Sequence, residues 1–244
     1  MRFRGFNLLL LPAILLQAGC AAGLMSALSA ALGASQAGVI GAAGAAQNFD
    51  YQKLKEVLPR YDGLEHQTVA VVVEAPLDLQ YLKPDLLDQI AGGLMARLSE
   101  HVPGISLMHP LHVRDWQFTT PQWNALAFSE IASELNVDRV VLVDVQEFRL
   151  HPRGNRWLWE GVCRASIGII ERDGYDPDSY ADAWEVSAKF PDIDGLDRDS
   201  ASEWEVQTGL LAEFVKQSSW LFYTHLEPKH PDRYNPSMDP DLNL

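Results

Sequence analysis

The chain has 244 residues, 47% of them hydrophobic, and its 33 acidic against 19 basic side chains give a net charge of −14. That is enough apolar material for one domain of ordinary size, while so acidic a surface disfavours nucleic acid and anionic headgroups as partners. Only two cysteines are present, Cys20 and Cys163, so no disulfide framework organises the fold.

At the start of the chain, Arg2 and Arg4 precede an apolar run from Leu8 to Leu16. The run is shorter than the ~20 residues a membrane span needs, and Ala18 and Gly19 then place small residues directly before Cys20. This arrangement resembles the lipobox of bacterial lipoproteins, although Gln17 stands where the family usually has Leu. The resemblance implies a signal peptide over 1–19 and a diacylglyceryl-modified Cys20 at the mature N-terminus, and hence an outer-membrane lipoprotein facing the periplasm. The next stretch, 20–48, is rich in Ala and Gly and carries no charge. Its composition suits a flexible tether. Gly33, Gly41 and Ala45 also approximate the small-residue spacing of helices packed in a bilayer, the alternative reading of this stretch.

A globular domain is expected over 49–227. Thr68 to Glu74, TVAVVVE, is apolar on both faces and reads as a strand covered on both sides. Pro84 opens a helix whose Leu86, Leu87, Ile90, Ala91, Leu94, Met95 and Leu98 recur at helical spacing. A short strand is expected over Ile105 to Met108, then a helix N-capped by Thr120 and running to about Leu135. Val137 to Leu150 and Trp157 to Glu171 form an antiparallel hairpin turned by Pro152, Gly154 and Asn155. Alternation along its second strand puts Trp157, Trp159, Cys163, Ala165, Ile167 and Ile169 inward. Asp182 to Phe190 alternates again, and Ser200 to Glu203 has the spacing of a capping box for a long last helix to about Leu226. Residues 228–244 hold four prolines and no periodicity, the mark of a tail.

This order predicts an α+β fold, a mixed sheet packed by amphipathic helices. TVAVVVEAP, the helix after Pro84, IASELNVDRVVLVDV and the strand ending IIERDG together resemble the N-terminal domain of TolB and the related domains of envelope lipoproteins such as CsgG and LpoB. The resemblance implies a periplasmic adaptor, secretion component or enzyme activator.

Chemistry is sparse. His101, His109, His112 and Asp115 fall within fifteen residues, but none shows the i, i+4 spacing of a zincin, and surface histidines in loops are the better reading. Asp192, Asp194, Asp197 and Asp199 surround Gly195, yet with that glycine at the sixth loop position the twelfth is Ala201 where an EF-hand needs an acid. Asp173, Asp176 and Asp178 form a second acidic loop. There is no G-x-S-x-G, P-loop or G-x-G-x-x-G, and Cys163 reads as a buried thiol. The expectation is a non-enzymatic, lipid-anchored interaction module with an envelope protein as partner, and with no cofactor, metal, nucleotide or nucleic acid. The alternatives are an oligomeric secretion-pore component and a metal-dependent hydrolase using the histidine cluster.

Overall fold

The computed structural model describes residues 53–192 and 195–233. The signal peptide, Cys20, the tether and most of the tail lie outside them. Leu54–Glu227 forms one compact unit.

Its centre is a five-stranded mixed sheet in the order β3-β2-β4-β6-β7. The strands are β2 (Thr68–Glu74), β3 (Ser106–Leu107), β4 (Arg139–Arg149), β6 (Gly161–Glu171) and β7 (Asp182–Phe190). β2 runs parallel to β3 and β4, while β4, β6 and β7 form an antiparallel meander with a bulge between Val145 and Glu147. Two small ladders flank it: β1 (Leu54–Val57) pairs β9 (His225–Pro228), and β5 (Leu158–Trp159) pairs β8 (Leu196–Asp197). The α+β expectation therefore holds.

One face of the sheet is covered by α2 (Leu86–His101) and α5 (Glu203–Ser219), where Leu94, Leu98, Leu210 and Phe214 pack on Val71, Val143, Ile167 and Ile169. The other is covered over β2, β4 and the Ile170 end of β6 by α3 (Pro110–Thr119) and α4 (Phe128–Glu134), through Val113, Ile131 and Ala132. Hence β2 is apolar on both faces, with Val69 to Val73 all buried, whereas β6 and β7 turn Arg164 and Glu185 outward into an ion pair at 3.3 Å. Entry into β4 is set by Asn136, whose φ of 51° forms the left-handed stop of α4. Val137 N–H donates to Ala132 O at 3.2 Å and Asn136 N–H to Ser133 O at 3.1 Å, the paired bonds of a Schellman motif.

Several boundaries differ from expectation. Thr120 is the C-cap of α3, and the expected single helix to Leu135 is a 3₁₀ turn, Trp123–Ala125, followed by α4. Pro110 occupies the first turn of α3 and the His109 side chain accepts from Leu111 N–H at 3.2 Å, so His112 and Asp115 stand on a helix and not in a loop. Trp157 is 77% exposed because pairing in β6 ends at Gly161 and the chain before it turns away to β8, resetting the alternation. Trp159, Cys163, Ala165, Ile167 and Ile169 are buried as expected. The capping box is Ser202 with Glu205, not Ser200 with Glu203, because Arg198–Ser200 is itself a 3₁₀ turn. The last helix stops at Ser219: Leu221 O accepts from both Arg60 N–H and Tyr61 N–H, and the chain then enters β9. Leu221, Phe222 and Tyr223 are all buried, which prolongs the apolar pattern past the helix.

Candidate functional site

The strand β3 is two residues long and pairs only Thr68 and Val69 of β2. Past Val69, that side of β2 has no strand neighbour among the described residues, and side chains of α2 and α3, with Asp88 and Arg114 paired between the two helices, line a groove there. β3 amides at Ser106 and Met108 donate to Gln67 O and Val69 O, while Thr68 O accepts from Asp138 on the β4 side. By alternation, the backbone groups of Val71 and Val73 therefore face the groove. Val73 O accepts from Gln117 Nε2 at 3.2 Å.

The groove has a volume of about 670 Å³, inside the ~300–1,000 Å³ range of ligand sites. Its floor is Val71, Val73 and Ala75, one wall is Leu77, Leu87 and Ala91, and the other is Val113, Phe118 and Trp123. A short helix, α1 (Leu77–Leu82), forms the lip. It is amphipathic in the unusual sense that only Leu79 is buried: Leu77 is 73% exposed, Tyr81 88% and Leu82 75%. Across the groove Phe118 is 74% exposed, with the Arg114 guanidinium 5.6 Å above its ring. Isolated exposed apolar residues are ordinary, but Leu77 and Phe118 line one groove, and Tyr81 and Leu82 add two more exposed side chains on the helix that carries Leu77.

The rim charge is acidic. Asp88 pairs with Arg114 and Glu74 Oε1 accepts from Asn124 Nδ2 at 2.8 Å. Among the described residues Glu74, Asp78 and Asp85 have no ion pair. In register Glu74 lies beside Asp144, and burial, followed by the field of these two carboxylates, raises the pKa of the Tyr180 phenol. Lys83 at the end of α1 bonds Glu203 at 2.7 Å and Gln207 at 2.8 Å, fixing the lip to the first turn of α5.

The opposite end of the sheet carries a polar clamp. Tyr61 donates to Glu171 at 2.5 Å, buried Arg139 pairs with Glu171 at 3.6 Å and with Asp173, and Asp138 accepts from Thr68 Oγ1 at 2.6 Å and from Arg172 at 2.5 Å. Burial first, then the Glu171 hydrogen bond, pushes the Tyr61 phenol well above its ordinary range. Thr68 hydrogen bonds chiefly hold Asp138 below the usual carboxylate range. Each member ties a loop to a strand end, so the clamp organises structure.

The histidines do not converge. His101 stacks on Tyr223 at 4.3 Å, His109 caps α3, and His112 lies 6.0 Å from His109. Among the described residues no three His, Cys, Asp or Glu side chains gather into a metal site. Asp178 instead accepts from Ser129 N–H at 3.1 Å in the first turn of α4, Asp173 joins the clamp, and Asp176 is exposed. Asp192, Asp197 and Asp199 are exposed, and Asp194 lies outside the described residues. Cys163 is buried in β6, where desolvation pushes its thiol up to about 12. No described helix is long and apolar enough to cross a membrane.

The groove itself escaped sequence reasoning. Its clue was the segment after Pro76, LDLQYL, whose apolar residues fall at positions that no single buried stripe accounts for.

No family model matches the sequence and no curated protein matches it. Among solved structures the chain is similar to the PelC dodecamer from Paraburkholderia phytofirmans, at TM-score 0.41 and 13% identity over 70% of this chain and 97% of that one. It is also similar to the lipoprotein GNA1162 from Neisseria meningitidis, at TM-score 0.39 and 12% identity, covering 59% and 93% of the two chains. Protein CT253 from Chlamydia trachomatis gives a TM-score of 0.38 and 16% identity, with 62% and 95% covered. These likenesses are distant, and the reading of the groove rests on its own residues.

Proposed function

We propose that the protein is a lipid-anchored envelope module that binds another envelope protein through the groove between α2 and α3. The supporting observation is the groove of about 670 Å³ whose lining includes Leu77 and Phe118, both largely in solvent, with Tyr81 and Leu82 also exposed on the same short helix as Leu77. Such surfaces on a chain of net charge −14 serve association better than folding, since these side chains stay largely in solvent. Cys20, acylated after signal cleavage, supplies the attachment, and the uncharged stretch after it supplies reach.

The test is the double variant Leu77→Ser with Tyr81→Ser in the full chain. Both side chains are exposed, so the thermal midpoint stays within a few degrees of the parent. Proteins that co-purify with the parent after chemical crosslinking of intact envelopes drop several-fold. Unchanged co-purification by a folded variant would remove the groove from the account.

A further inference from the structure

Resting on the groove as the binding site, we infer that its occupant is an extended segment of the partner, which adds as a strand to the free edge of β2 and carries basic side chains toward the rim. Three features converge. The first is the edge itself. β3 satisfies β2 only at Thr68 and Val69, and the backbone groups of Val71 and Val73 face the opening with a side-chain amide, Gln117 Nε2, on Val73 O. An unpaired strand edge is a template for a further strand, and main-chain bonding to it is a recurring way to hold peptides.

The second feature is the shape of the walls. An added strand presents alternate side chains to opposite faces of the sheet. Here one face meets Leu87 and Ala91 of α2, and the other meets Val113 of α3 and Trp123. Both sets of side chains would thus find apolar ground, as those of β2 itself do. A strand continues the spacing of about 4.8 Å already set by the sheet, and its entry displaces the Gln117 side chain from Val73 O and the Asp88–Arg114 pair that joins α2 to α3.

The third feature is charge. Glu74 lines the groove without an ion pair among the described residues, and Asp144 adjoins it in register. A neutral or acidic segment would leave these carboxylates uncompensated and add to the repulsion of an already acidic chain, whereas Lys or Arg at the ends of the segment would offset them.

Three blocked hexapeptides test the inference against the full chain: four Val flanked by a Lys at each end, four Val flanked by a Glu at each end, and the Val and Lys peptide with N-methyl groups on alternate residues. Anisotropy of the labelled peptides reads affinity, and hydrogen exchange reads the amides of Val71 and Val73. The Val and Lys peptide is expected to bind at least ~10-fold more tightly than either of the others, and to slow exchange at Val71 and Val73 by a similar factor. Glu74→Gln weakens that peptide and leaves the fold unchanged. Equal binding of the N-methylated peptide, or no slowing at Val71 and Val73, overturns strand addition; equal binding of the Val and Glu peptide overturns the charge preference; no binding by any peptide up to millimolar concentration overturns the inference altogether. In each of these cases the reading of the groove as a protein-binding site stands or falls separately, on the co-purification of the Leu77→Ser, Tyr81→Ser variant.

Discussion

Cys163 offers a direct check on the register of the sheet. It lies in β6 opposite Phe148 of β4 and Ala188 of β7, with no exposed surface, beneath α5. A reagent reaches its sulfur only after β6 has parted from both neighbours, an opening close to global unfolding in extent. With an ordinary unfolding free energy of ~5–15 kcal/mol, the open fraction is below about 1 in 1,000. Labelling of the native protein by a disulfide reagent should therefore run at least ~1,000-fold slower than in denaturant. Since the sulfur reacts only from that opened state, where the burial that pushes the thiol up to about 12 is lost, the pH dependence of labelling should follow an ordinary thiol of pKa about 8.5. The assay is release of a coloured thiolate from the Cys20→Ser chain, in which Cys163 is the one thiol. Native labelling within about tenfold of the denatured rate would refute the register, since a one-residue slip moves the whole alternate set of side chains to the other face.

Three further outcomes follow. Ser202→Ala removes both the bond from Glu205 N–H at 3.2 Å and the hydroxyl bond to the Glu205 carboxylate at 2.7 Å, leaving only the backbone N–H on that carboxylate, which should lower stability by ~1 kcal/mol, or ~2–4 °C in thermal midpoint. Asp138, Asp173 and Asp178 have pKa values lowered in the folded state, Asp138 chiefly by Thr68, Asp173 by Arg139 and Asp178 by Ser129. Their contribution is thus present above the unfolded value of ~3.9 and fades as pH falls through the depressed folded values. Asp138→Asn should flatten part of the acid limb of a stability profile and change its slope little above pH ~5, and an unchanged acid limb would count against the clamp. Cys20→Ser should leave the chain unprocessed or soluble, and full membrane retention with an unmodified N-terminal peptide by mass spectrometry would count against the anchor.

Strands with one dominant physical cause were legible in the sequence. Five consecutive apolar residues in β2 and the strict alternation from Cys163 to Ile169 identify two core strands because burial alone sets those patterns. Leu135-Asn136 announced the stop of α4, since Asn tolerates the left-handed backbone that the turn needs. The misses arose where local and tertiary signals competed. His109, His112 and Asp115 are expected in a loop, yet Pro110 suits the first turn of a helix that carries two of them, and the apolar run through Leu221, Phe222 and Tyr223 mimics helix where buried coil follows Ser219. Trp157 followed an alternation that ends at Gly161. The groove was illegible for a different reason: it arises from the shortness of β3, and where β3 stops depends on the placement of α3, which no local pattern in 105–108 encodes.

The most direct test of the groove as a binding surface is photocrosslinking in intact envelopes, with a benzoylphenylalanine probe at Tyr81 in one sample and at Tyr175 in another. Both side chains are highly exposed, and Tyr175 belongs to the acidic loop far along the sequence from the groove-lining residues. The account predicts a discrete protein adduct at Tyr81, lost when Leu77→Ser is added, and none at Tyr175. Equal adducts at the two positions, or none at Tyr81, would contradict it.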